Sequence, residues 1–70
     1  MKYELKDEYI ELFKLLKVLD LVDSGAQAKH LVAEGYVNRN GEPELRKRAK
    51  IVSGDVIEIA DAVIEVVQAK

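Results

Sequence analysis

The residues best suited to chemistry in this 70-residue chain are basic side chains gathered around one turn. In the segment "GYVNRNGEPELRKRAK", basic residues occupy alternate positions after the turn, at Arg46, Arg48 and Lys50. Alternate side chains of an extended strand project from one face, about 6.6 Å apart. We therefore expect these three to reach successive phosphates of a polyanion, with arginine forming bidentate contacts. Lys47 falls on the opposite face and is a weaker candidate.

The same cluster has a purely structural explanation. Charged residues on an edge strand prevent pairing with other sheets, and Pro43 nearby fits such an edge. The cluster alone does not decide between the two explanations.

Residue types that support catalysis or metal binding are sparse. The chain has no cysteine, which excludes disulfides and thiolate zinc sites. His30 is the single histidine, and with Glu34 it forms neither a triad nor a metal site. The glycines are scattered and form no phosphate-binding loop. We expect no enzyme activity, no metal and no cofactor.

The net charge of −2 conceals an asymmetry along the chain. Residues 24–50 carry a net +3, whereas residues 1–23 and 51–70 carry −2 and −3. A basic middle between acidic ends favours an anionic partner at one face. The length fits one domain over residues 1–70. The N-terminal segment is broken by charges, unlike a signal peptide or membrane span, and predicts a cytoplasmic location.

The elements that position these residues begin with a short strand at "KYELK" and a helix over about residues 7–19. Acidic residues at the start of this helix and lysines near its end suit the helix dipole. Its predicted apolar stripe, which assigns both aromatic residues to the core, consists of Tyr9, Leu12, Phe13, Leu16 and Leu19.

A second, shorter helix is bounded by a capping box at Ser24 and Gln27 and by Gly35 at its end. Asn40-Gly41 predicts a two-residue hairpin turn, with Pro43 on an edge strand. The β-branched segments "VIEIA" and "VIEVVQ" follow. The order predicts an α+β domain with an N-terminal strand, a two-helix unit and a small, mainly antiparallel sheet of about four strands.

Residues 19–59 resemble the αL RNA-binding motif, the domain named after ribosomal small-subunit protein S4. The matching parts occur in a fixed order: a Ser-led helix ending in Glu34-Gly35, an alternating strand, Asn40-Gly41, the basic stretch, and Gly54-Asp55-Val56. With such short flanks, the chain is similar to the small stand-alone bacterial members of that family.

The resemblance implies RNA binding without catalysis, through the two helices and the adjoining hairpin. The contacts carried over by position are Lys29, Arg46, Arg48 and Lys50, with lesser candidates at Arg39, Lys47, Ser24 and Gln27. Three positions depart from the family pattern. Gly25 stands where arginine often follows the capping serine, Arg39 where an apolar residue is usual, and Val18 where an arginine precedes Leu-Asp.

We expect a monomer that binds structured RNA, such as ribosomal RNA or a precursor, with no membrane and no small-molecule cofactor. Recognition should rest on phosphate and shape, because A-form grooves hide most sequence information. With Tyr9 and Phe13 assigned to the core, no aromatic stacking platform is expected.

Three alternatives remain open. The first is a protein-interaction module that docks an acidic partner. A sulfur-carrier-like β-grasp domain is disfavoured because the chain ends Gln68-Ala69-Lys70 instead of Gly-Gly. DNA binding by the helix pair is disfavoured because the second helix offers only Lys29 and His30 to a groove.

Overall fold

The computed structural model describes residues 1–69, in which two helices share one hydrophobic core with a mixed β-sheet. The strands are β1 (Lys2–Leu5), β2 (Ile10–Glu11), β3 (Val37–Arg39), β4 (Glu42–Pro43), β5 (Lys50–Ile51), β6 (Val56–Ile59) and β7 (Ala62–Gln68). The helices are α1 (Leu12–Val18) and α2 (Gly25–Ala33). Within residues 1–69, neither helix has the length and apolar character needed to cross a membrane.

Five strands form the larger sheet in the order β1–β7–β6–β3–β4, and β2 pairs with β5 in a separate ribbon. β1 runs parallel to β7, whereas the remaining pairs are antiparallel. The predicted α+β class and the N-terminal strand are confirmed. The main sheet has one strand more than the approximately four expected.

The core fixes the helices against one face of the sheet. Alternation along β6 and β7 buries every second apolar residue, and both helices contribute the side chains that cover them. The buried set includes Leu12, Leu15 and Leu16 of α1, Ala28 and Val32 of α2, and Ile57, Ile59, Ile64 and Val66 of the sheet. This packing holds the start of α1 next to the segment that follows the hairpin.

The first helix is shorter than predicted and begins at Leu12 instead of near residue 7. The preceding residues form β2, which pairs with β5 about 40 residues later. The first helical amides donate to the same distant segment. The Leu12 N–H donates to the Ala49 carbonyl (3.0 Å), and the Phe13 N–H donates to the Lys47 carbonyl (3.1 Å).

The buried face of α1 also differs from the prediction. It is made by leucines at positions i, i+3, i+4 and i+7, namely Leu12, Leu15, Leu16 and the partly buried Leu19. Tyr9 is 42% exposed, and Phe13 is partly buried at the edge of the core. The assignment of Tyr9 to the core was therefore wrong, and that of Phe13 was only partly right.

The predicted start of α2 at Ser24 and its predicted end at Gly35 are confirmed. Ser24 Oγ accepts a hydrogen bond from the Gln27 N–H (3.1 Å), while Gln27 Oε1 accepts from the N–H of Asp23, one residue earlier than a capping box predicts. Gly35 has φ of +84°, and its N–H and that of Tyr36 donate back into the last turn. This arrangement ends the helix in a Schellman motif.

The predicted hairpin is present between β3 and β4. Asn40 and Gly41 have φ of 52° and 86°, as a type I′ turn requires. β4 lies at the edge of the sheet, so Pro43 leaves no ladder hydrogen bond unmade.

Candidate nucleic-acid interface

The segment after the hairpin is not the extended ladder that alternation predicted. Of its three candidate side chains, only Lys50 lies in a strand. Residues 47 and 48 form a turn in which the Ala49 N–H donates to the Arg46 carbonyl (3.1 Å). The turn arises because the carbonyls of residues 47 and 49 accept hydrogen bonds from the start of α1. The expectation of evenly spaced cations was therefore wrong.

The fold nevertheless brings these side chains together by another route. Arg39, Arg46, Arg48, Ala49 and Lys50 line a surface depression of about 360 Å³, here called the basic depression. The Arg46 and Arg48 side chains are 77% and 70% exposed, so both guanidinium groups are open to solvent. Lys47 is exposed but is not among the residues that line the depression.

Arg39 forms the floor of the basic depression and is held by acids. Its guanidinium contacts Asp55 Oδ2 at 2.8 Å and Glu44 Oε1 at 3.4 Å. It also donates to the Lys50 carbonyl at 2.9 Å. Its side chain is 23% exposed, and its donors face protein acceptors. This geometry gives Arg39 a structural role, whereas an RNA contact at Arg39 stays a prediction.

Asp55 accepts three hydrogen bonds in this network. Burial raises the pKa of Asp55, but hydrogen bonds from the Val52 N–H, the Asn40 amide and Arg39 outweigh burial and hold that pKa below its ordinary value. Burial lowers the pKa of Arg39, and its contacts with Asp55 and Glu44 more than reverse this effect. The pair is therefore ionised at neutral pH.

Glu44 links the buried network to the exposed rim. Its carboxylate accepts from the backbone N–H of Arg46 (3.2 Å) and from Nε of the same residue (3.3 Å). Burial raises the pKa of Glu44, but these bonds and the bond from Arg39 outweigh burial and lower the pKa. Glu44 thereby orients Arg46 at the rim of the basic depression.

The Asn40 side chain holds the hairpin turn against the segment that contains Asp55 and Val56. Its amide Nδ2 donates to Asp55 Oδ1 (3.0 Å), and its Oδ1 accepts from the Val56 N–H (2.8 Å). The Asn-Gly turn and the Gly-Asp-Val segment are therefore joined by side-chain hydrogen bonds that fix the hairpin beside the basic depression.

The candidates on α2 lie beside α1. Lys29 Nζ sits 4.8 Å from the centroid of the Phe13 ring, a cation–π contact. Ser24 and Gln27 are exposed at the start of α2, where their side chains take part in capping. Contact between these three residues and RNA stays a prediction.

The sequence analysis did not predict that Tyr9, Phe13 and Lys14 would lie beside the candidate RNA-binding lysines. Lys14 Nζ lies 5.9 Å from the Phe13 ring centroid, and Lys50 Nζ lies 5.1 Å from that of Tyr9. The sequence could have indicated that the two aromatic side chains lie outside the core. The leucines of α1 alone complete a helical stripe, and this stripe excludes both aromatic residues.

Apart from Ala49, the residues that line the basic depression are cationic. Within residues 1–69, no three His, Asp or Glu side chains are grouped as metal ligands. A model of the S4 domain matches residues 3–67 of the chain. The chain belongs to the S4 domain family.

Two relatives in this family share most of the chain. YbcJ of Escherichia coli (strain K12) is 45% identical over 62 residues, which cover 89% of this chain and 89% of YbcJ. The Bacillus subtilis (strain 168) protein named "Probable ribosome maturation protein RlbA" is 42% identical over 52 residues. That match covers 74% of this chain and 73% of RlbA.

Two solved structures have a similar fold. The solution structure of E. coli YbcJ, described as revealing an αL motif involved in RNA binding, matches with a TM-score of 0.72 and 43% identity, over 94% of this chain and 85% of that one. The 30S ribosomal protein S4e from Thermoplasma acidophilum matches with a TM-score of 0.67 and 29% identity, over 83% of this chain and 31% of that one. The resemblance to the αL family is confirmed.

Proposed function

We propose that the protein binds structured RNA, without catalysing a reaction, through the basic depression and the neighbouring Lys29. The observation that carries the proposal is the convergence of Arg46, Arg48 and Lys50 on one depression of an S4 domain. These side chains come from an irregular segment that is held in place by the start of α1 and by the Glu44–Arg39–Asp55 network. A preformed cationic surface needs little ordering to meet phosphates.

The similarity to RlbA, which is named as a probable ribosome maturation protein, supports ribosomal RNA or its precursors as the ligand. Such a ligand implies action in the cytoplasm. Binding would rest mainly on phosphates, because guanidinium groups form paired hydrogen bonds with phosphate oxygens.

The test is crosslinking of the protein to cellular RNA followed by sequencing of the bound fragments. The variant Arg46/Arg48/Lys50→Ala should recover at least about tenfold less RNA, because it removes the cations of the basic depression. The matched control is Lys2/Lys6/Lys17→Ala, which removes the same charge from exposed positions outside the depression.

Equal RNA recovery by wild type and the basic-depression variant would contradict the proposal. If recovery stayed equal even after charge reversal at Arg46 and Arg48, the docking of an acidic protein partner would become the better explanation. A loss that was equal in the control variant would indicate a response to net charge alone.

A further inference from the structure

Two aromatic rings, Tyr9 and Phe13, each lie beside lysine ammonium groups. Within residues 1–69, each cation–π contact joins a lysine of this surface to Tyr9 or Phe13. Lys50, which lines the basic depression, covers the Tyr9 ring. Interleaved cations and aromatic faces are the arrangement by which proteins hold unpaired nucleotides, with phosphate on the cation and the base stacked on the ring.

A second depression lies directly beside the first. It has a volume of about 560 Å³ and is lined by Asp7, Glu8, Tyr9, Ile10, Glu11 and Lys14. Glu11 connects the two depressions, because its carboxylate contacts Lys14 Nζ at 3.1 Å and Arg48 Nε at 3.9 Å. Cross-strand pairing of β2 with β5 also sets Glu11 opposite Lys50.

The charges of the two depressions decide which part of a nucleotide each can accept. Phosphate is repelled by the carboxylates of Asp7, Glu8 and Glu11, so the second depression does not suit the RNA backbone. A base is uncharged, it can stack on Tyr9, and its amino and imino N–H groups can donate to carboxylates. The phosphate of the same nucleotide would reach Lys50 or Arg48 on the adjoining rim.

We propose that the second depression binds the base of an unpaired nucleotide, stacked on Tyr9, while the basic depression holds the neighbouring phosphates. The inference rests on the proposed function and makes it more specific: the ligand is an RNA with an unpaired nucleotide next to a helix, rather than a continuous duplex.

The test compares two RNA hairpins that differ only in one bulged nucleotide, using wild type, Tyr9→Ala and Tyr9→Phe. Wild type should bind the bulged hairpin more tightly than the fully paired one. Tyr9→Ala should weaken binding of the bulged hairpin by about 5- to 100-fold and leave the paired hairpin nearly unchanged, because base–aromatic stacking contributes on that scale. Tyr9→Phe keeps the ring and should keep the preference.

A second measurement reports stacking without relying on affinity. A fluorescent adenine analogue at the bulged position should be quenched by wild type and by Tyr9→Phe but not by Tyr9→Ala, at protein concentrations that saturate each complex. Because Tyr9 is 42% exposed, its truncation should leave thermal unfolding nearly unchanged, and that measurement confirms that the variant is folded.

The outcomes separate the inference from the proposed function. Equal weakening of both hairpins by Tyr9→Ala would show that the ring only positions Lys50, and an unchanged preference would show that the ring contacts no base. Either result overturns the inference and leaves RNA binding intact. Failure of wild type to bind either hairpin, together with equal recovery of cellular RNA by wild type and Arg46/Arg48/Lys50→Ala, would overturn both.

Discussion

Arg39 belongs to a cationic segment, but its side chain pairs with acids of the protein. Its guanidinium bridges two acids beneath the basic depression and holds the Lys50 carbonyl. The sequence gives the type of this residue but not its exposure, which depends on Asp55, 16 positions away. The charge of the segment alone therefore overstates the number of cations available to a ligand.

The replacement Asp55→Asn tests the buried network. It keeps the shape of the side chain but removes the charge that faces Arg39, and at pH 7 it should lower the free energy of unfolding by about 1–2 kcal/mol. Because the folded pKa of Asp55 lies below its ordinary value, its ionised form stabilises the fold above about pH 4, and this contribution is lost as the pH falls through the folded pKa.

The stability difference between wild type and Asp55→Asn should therefore stay constant above about pH 5 and shrink as the pH falls from there through the folded pKa of Asp55, as measured by urea unfolding at each pH. Asp61→Asn is the matched control at an exposed turn, and it should change stability by less than about 0.5 kcal/mol. A difference that stayed constant over this pH range would show that ionisation of Asp55 does not stabilise the fold.

At the scale of elements, features with local causes were predictable and features with distant causes were not. The cap at Ser24, the helix end at Gly35 and the Asn40-Gly41 turn each depend on a few adjacent residues, and the structure has all three. The start of α1 depends on β2 pairing with β5, and no signal within residues 7–19 reveals that partner. The turn at residues 47 and 48 has the same distant cause.

The turn between β6 and β7 contains a strained residue. Ala60 has φ of 51°, a left-handed conformation that costs an alanine about 1 kcal/mol and costs glycine almost nothing. Ala60→Gly should therefore raise the free energy of unfolding by about 0.5–1 kcal/mol, measured by urea denaturation. The exposed Ala33 in α2 provides the control, because Ala33→Gly should destabilise the protein by a similar amount. Destabilisation by Ala60→Gly would contradict the assignment of strain.

The start of α2 has room for an arginine at position 25. A Cβ added at Gly25 would lie 3.9 Å from Phe13 Cδ2, an ordinary contact, so substitution needs no rearrangement. Gly25→Arg should tighten RNA binding by about 3- to 10-fold, because it adds a cation where the helix N-terminus already favours phosphate. Affinity can be measured by fluorescence anisotropy with a labelled RNA hairpin.

Gly25→Ala separates the two effects of that change. Gly25→Ala should stabilise α2 by about 0.5–1 kcal/mol, since glycine is unfavourable within a helix, and Gly25→Arg should stabilise it less, because a cation at the helix N-terminus opposes the helix dipole. Only the arginine variant should gain affinity. Equal RNA binding by the two variants would show that position 25 does not face the RNA.

Across the whole molecule, a net charge of −2 coexists with a localised cationic surface. If four or five phosphates are neutralised there, log affinity should fall against log salt concentration with a slope of about −3 to −4. The variant Arg46/Arg48/Lys50→Ala should have a slope shallower by about 2–3, because each lost phosphate contact removes about one unit or slightly less.

Binding titrations over a range of potassium chloride concentrations provide these slopes. The Lys2/Lys6/Lys17→Ala control should keep the wild-type slope, because these residues lie outside the basic depression. Affinity that is independent of salt would show that phosphate contacts do not drive binding.

The parallel pairing of β1 with β7 joins two strands that are far apart in the sequence. β1 is synthesised long before β7, its sheet neighbour, and the bonded residues Leu5 and Gln68 are 63 positions apart. The helices, the hairpin and the Asp55 network involve only residues translated earlier, and they close over shorter loops. Completion of the five-stranded sheet therefore depends on a long loop closure, which slows folding relative to a sheet built from neighbouring strands.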